Sequence, residues 1–162
     1  MDARTVFALV GMVATLGVAG CDFEVPLTAT PTRKIDERLL GTWGWVDKDS
    51  SKEELMGVRK YDETTFVVSL DADIYRAFHS DFAGQPFVSV QDLNSGDRKY
   101  CYYTARLSAD GDHLTLHRVG TGLVPDTTRT TKAVQQLIKA NLANPALFQG
   151  DEMVFTRKKP GS

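Results

Sequence analysis

Apolar and polar positions alternate along most of the chain. GTWGWV places Trp43 and Trp45 on one face, and TTFVVSL does the same for Phe66, Val68 and Leu70. In KYCYYTARL, Cys101, Tyr103, Ala105 and Leu107 oppose Tyr100 and Tyr102, and in HLTLHRV, Leu114 and Leu116 oppose His113, Thr115 and His117. A period of two is the mark of a strand with one buried face. QPFVSVQDL, with Pro86 where a missing amide does least harm, and EMVFTRK add further strands. VRKY and TTFVVSL flank Asp62-Glu63 as one hairpin, and SADGD joins KYCYYTARL to HLTLHRV as a second through Asp110-Gly111. Six or seven short-linked strands predict a mainly β domain, a small curled antiparallel sheet or barrel.

Two segments depart from this alternation. TTRTTKAVQQLIKANLANP carries Val134, Leu137, Ile138 and Leu142 at helical spacing, with Thr130 or Thr131 to cap it and Asn144-Pro145 to stop it. It predicts a helix near 131–143 that closes one end or side of the sheet, with Leu147 and Phe148 as packing residues. DADIYRAFHSDF predicts a short helix capped by Asp71 or Asp73, with Ile74, Ala77 and Phe78 inward. IDERLLG predicts a helical turn from Asp36 to Leu40, ended by Gly41.

The amino-terminal fifth is of another kind. TVFALVGMVATLGVAG is sixteen uncharged residues behind Arg4, short for a bilayer span and suited to a signal peptide. It ends in VAGC, residues 18–21, which resembles the lipobox of a bacterial lipoprotein precursor. That resemblance implies cleavage after Gly20, a diacylglycerol thioether on Cys21 and a further acyl chain on the new amino terminus. Several chains anchor firmly where one holds only marginally. In enterobacteria an Asp in the position of Asp22 favours retention in the inner membrane, but the rule does not hold for all bacteria, so inner and outer membrane both stay open. Residues 22–34, DFEVPLTATPTRK, with two prolines and no sustained period, predict an extended tether. The resulting organisation is a signal peptide at 1–20, a lipidated tether at 21–34 and one domain at 35–159.

Removing residues 1–20 from the 162-residue chain leaves 142, enough for one hydrophobic core. It removes Asp2 with Arg4, so the formal net charge stays at −2 and gives no reason to expect nucleic acid as a partner. With Cys21 consumed by lipid, Cys101 has no intrachain partner and reads as a small buried hydrophobe.

LLGTW, residues 39–43, resembles the Gly-x-Trp element at the first strand of lipocalin-like barrels, with Gly41 and Trp43 at matching positions. In that family a later arginine packs on the tryptophan, a role open here to Arg118 or Arg157. CDFEVPLTATPTRKIDERLLGTW, the aromatic strand after it and NPALF are together similar to a group of small proteobacterial envelope lipoproteins with lipocalin-like domains. The likeness implies a barrel and brings no catalytic residues.

Motifs for chemistry are sparse. GTG at 120–122 lacks the Gly-Lys-Ser/Thr continuation of a phosphate loop, and neither G-x-S-x-G nor H-E-x-x-H occurs. Asp71, Asp73 and Asp81 read as capping and surface carboxylates. On a strand, His113 and His117 lie roughly 13 Å apart, too far to share one zinc ion at about 2 Å each. No catalytic residue, metal site or cofactor is predicted. Trp43, Trp45, Tyr75, Phe78, Phe82, Tyr100 and Tyr102 supply a candidate binding surface. The leading expectation is a non-enzymatic lipoprotein of the bacterial cell envelope, facing the periplasm and acting through a protein partner or in envelope maintenance. A lipocalin-like carrier of a small apolar ligand is the alternative, and an enzyme acting on lipid or cell wall a third.

Overall fold

A computed structural model describes residues 20–48 and 50–159. The signal-peptide expectation therefore lies almost wholly outside the described residues. Within them, eight strands form a closed barrel in which every neighbouring pair is antiparallel. The strands are β1 Gly41–Val46, β2 Glu53–Lys60, β3 Thr65–Leu70, β4 Asp73–His79, β5 Phe87–Asp92, β6 Tyr100–Leu107, β7 His113–Val119 and β8 Phe148–Lys158. Each pairs with the next in sequence. The seam closes where Thr42, Trp43 and Gly44 of β1 meet Lys158, Arg157 and Thr156 of β8. Closure removes the exposed edges that an open sheet would leave.

The alternation sets which face points in. Trp43, Met56, Val58, Phe66, Ala77, Leu114 and Phe155 form the buried interior, with Trp45, Val68, Leu70, Val88, Val90, Ala105, Leu107, Leu116 and Met153 packed against them. Cross-strand partners agree: Trp43 faces Met56, Met56 faces Leu70, Ala77 faces Val90 and Leu114 faces Phe155. An apolar inside with Arg59, Arg76, Arg106, Thr115 and Thr156 on the outside is the reverse of a membrane-spanning barrel, whose apolar band faces lipid.

One helix, α1 Thr131–Asn141, lies in the long connection between β7 and β8. Thr130 caps it, its hydroxyl accepting from the Ala133 amide at 3.2 Å. Asn144 then opens a single 3-10 turn, Pro145–Leu147, before β8. Val134 and Ile138 of α1 are buried with Phe87, Tyr102, Val119 and Leu147, so the helix covers the outer face of β5 to β7. A 3-10 turn at Glu37–Leu39, capped by Asp36, precedes β1.

Two expectations are corrected. DADIYRAFHSDF supplies no helix; its Asp73–His79 stretch is β4. Ile74, Ala77 and Phe78 fit a helical stripe, but Tyr75, Ala77 and His79 also alternate, and pairing with β3 and β5 on both sides favours the strand. Asp71, at φ 50°, serves the two-residue turn that joins β3 to β4. Residues 22–34 are docked along the barrel and do not form a free tether. Phe23 and Leu27 are fully buried, and Phe23 bridges Tyr100 through N–H···O bonds of 3.0 and 2.7 Å. Side chains complete what the irregular backbone lacks. Ser89 Oγ accepts from the Leu27 amide at 3.1 Å, Thr131 and Gln135 donate to the Pro26 and Leu27 carbonyls at 2.9 Å, and the Tyr102 hydroxyl donates to Val25. The absence of a period in this segment reflects docking through single anchors rather than a repeating face.

Candidate functional site

The floor of the barrel is built from both ends of the chain. Trp43, fully buried, donates its indole Nε1–H to the Leu39 carbonyl at 3.0 Å, which ties the 3-10 turn over this end. Arg157 lies over the other side of the ring, 4.2 Å from its centroid. Its guanidinium donates to the carbonyls of Leu40 at 3.0 Å, Gly111 at 2.9 Å and Arg38. Gly41, at φ 140°, leaves the space: a Cβ there would meet Arg157 Nη1 at 2.9 Å. Of the two arginines open for this role, the structure selects Arg157.

Above the floor lies a cavity of about 420 Å³, within the ordinary range for a small-molecule site. Its wall is apolar and comes from all eight strands, including Trp45, Met56, Val68, Val90, Leu116 and Phe155. Rim residues Asp47, Lys48, Asp151 and Glu152 mark the opposite, open end. Few polar groups reach the interior. Tyr75 and Tyr103 border the cavity and stay neutral, because burial raises both phenols, that of Tyr75 to about 12 with help from Asp73 and Asp92. The Glu54 side chain, facing in beside Trp45, makes no hydrogen bond or ion pair among the described residues. Arg118 is held at the mouth, donating to the Gly20 carbonyl at 2.7 Å and to Asp22 at 2.8 Å.

Cys21 enters here. It lines the cavity with Cys101 and is disulfide-bonded to it, over a sequence separation of 80 residues. Cys101 thus has an intrachain partner in this structure, whereas the expectation of none applies to a chain whose Cys21 carries lipid. The bond pins the docked amino-terminal segment at the barrel mouth. A sulfur in a disulfide cannot also carry a thioether, so lipid and cystine are alternative fates of one atom.

The seven candidate binding residues are not one surface. Trp45 and Tyr75 line the cavity, while Trp43 is fully buried in the interior cluster at the closed end and does not line it. Tyr102 is buried outside the barrel, stacked on Phe23 at 4.4 Å, and Tyr100 and Phe82 pack against the same cluster under α1. Phe78 is also buried and points away from the interior. Closure explains the division: one face of β6 goes to the cavity and the other to the helix. The histidines are likewise separate. His117 stacks on Phe148 at 4.4 Å, His113 reaches Thr156 and His79 is buried against Phe66. Among the described residues, no three His, Cys, Asp or Glu side chains group as metal ligands. Sequence reasoning missed Tyr103, Glu54 and the strand-borne aliphatics as cavity-lining residues. Their inward alternation was the available signal. No family model, curated protein or solved structure matches the chain.

Proposed function

We propose that the protein is a non-catalytic carrier of a small apolar ligand held inside the barrel. The observation that carries this reading is the apolar cavity of about 420 Å³, walled by inward side chains of all eight strands and bordered by Glu54 at its open end. A barrel selected only as a scaffold would fill its interior with side chains. Transfer of an aliphatic ligand into such a space gains roughly 0.8 kcal/mol per buried CH₂. The partner-surface reading is weaker, because Phe78, Phe82, Tyr100 and Tyr102 are spent on internal packing. Titration with an environment-sensitive apolar fluorophore tests the proposal. Saturable one-to-one binding, competed by aliphatic compounds and lost when Ala105 in the cavity wall is replaced by Trp, is expected; no saturable binding to the folded protein refutes it.

Attachment to a membrane of the bacterial cell envelope, with the domain facing the periplasm, is proposed alongside, supported by VAGC at 18–21. In that form the Cys21–Cys101 bond is absent and Cys101 is a thiol. Because Phe23 and Leu27 dock the following segment, lipid on Cys21 would hold the barrel mouth close to the bilayer.

A further inference from the structure

We propose that the ligand is a single-chain amphiphile with a cationic head, its tail in the barrel and its ammonium group between Glu54 and Trp45. This rests on the carrier reading and adds the chemistry of the head group. Glu54 and Trp45 are direct cross-strand partners on the inward faces of β2 and β1, at the last position before the rim. Directly opposed residues in an antiparallel pair place their Cβ atoms roughly 5 Å apart. A carboxylate and an indole thus stand side by side on the cavity wall where it gives way to solvent. That is the combination that recognises an ammonium ion, by charge and by the ring quadrupole together.

The rest of the cavity argues against an anionic head. Arg118, the guanidinium that lines it, already holds Asp22 and the Gly20 carbonyl. Lys48 is paired with Asp151 at 3.5 Å and is largely exposed. Tyr75 and Tyr103 offer uncharged phenols. A fatty-acid carboxylate at the mouth would face Glu54, and the two cations that line it among the described residues, Lys48 and Arg118, already pair with Asp151 and Asp22, whereas a cationic head finds in Glu54 a carboxylate whose side chain has no hydrogen bond or ion pair among the described residues. Low-dielectric walls strengthen both the attraction and the repulsion.

The experiment compares decyltrimethylammonium, decanol and decanoate, each below its aggregation concentration, by calorimetry and quenching of tryptophan emission. The expected order is cation over alcohol over carboxylate, with about tenfold or more between the two ions. Glu54→Gln brings the three affinities together without shifting the melting temperature, and Glu54→Asp retains the order. Equal affinities in the unmodified protein, or an order that Glu54→Gln leaves intact, overturn the head-group assignment and leave the carrier reading standing. Failure of all three to bind overturns both.

Discussion

The guanidinium of Arg157, the penultimate residue of β8, lies 4.2 Å over the ring of Trp43 near the start of β1. The contact spans the barrel seam, since the two residues are also backbone partners there. Arg157→Ala removes the ring contact and leaves the Leu40, Gly111 and Arg38 carbonyls unmet. A loss of about 2–4 kcal/mol is expected. Trp43→Ala, which empties the floor, is expected to cost about 3–5 kcal/mol. Urea titrations of both single variants and the double variant isolate the coupling, expected at about 0.5–2 kcal/mol. Strict additivity would show that the stacking contributes nothing of its own.

Docking of residues 22–34 makes a second prediction. Phe23 stacks on Tyr102 with an interplanar angle of 12°, and both are fully buried. Phe23→Ala is expected to destabilise the domain by about 3–5 kcal/mol, and Leu27→Ala by about 2–5 kcal/mol. Both costs are to be read under reducing conditions as well, to separate packing from the disulfide. A free tether would tolerate either change with no movement in the unfolding midpoint.

Acid should act in two stages. Burial holds the His79 imidazole below its ordinary value, with Arg33 adding to the effect and Asp81 and Asp36 opposing it. The unfolded chain then binds the proton more readily, so stability from this group is present above about pH 6.5 and is lost as pH falls through the folded value. Asp36, held low mainly by its hydrogen bond from Arg38, and Asp62, held low mainly by the Thr64 amide, withdraw their contributions only below about pH 4. Unfolding titrations between pH 7.5 and 5 should show a decline that His79→Gln flattens. A variant with the same decline would place its origin elsewhere.

These contacts also show what could be read from the chain. Strand alternation identified the inward set Trp43, Trp45, Phe66, Val68, Leu70, Leu114 and Leu116, because sheet pleating imposes a period of two whatever the tertiary partners. The α1 stripe was legible for the same local reason, as was a threonine cap at 130 or 131, of which the structure uses Thr130. Closure was not, since it depends on Thr42 meeting Lys158 across the length of the domain. Nor was the choice of Arg157 over Arg118, which register alone decides. Segment 22–34 misled because Phe23 and Leu27 bind as isolated anchors, and β4 because it carries both a helical stripe, Ile74, Ala77 and Phe78, and an alternating set, Tyr75, Ala77 and His79. Cavity and candidate site therefore emerge only when the inward faces of eight strands are assembled.

The last prediction concerns the one sulfur with two possible fates. Cys21 is bonded to Cys101 at the barrel mouth, yet it also completes VAGC. Intact-mass measurement of the protein isolated from a bacterial membrane, with and without thiol alkylation, distinguishes the outcomes. Lipidation predicts a chain starting at Cys21, carrying acyl mass and incorporating labelled fatty acid, with Cys101 open to alkylation after denaturation. Cys21→Ala should then abolish the label and release the protein from the membrane fraction. Cystine predicts instead a two-dalton deficit, no acyl mass and a thiol that reacts only after reduction. In this second case the bond closes a loop of about 80 residues, and reduction should lower stability by about 2–5 kcal/mol. The ligand experiment is informative in either form, because Glu54 and Trp45 belong to β2 and β1 and owe their inward direction to strand pairing rather than to Cys21.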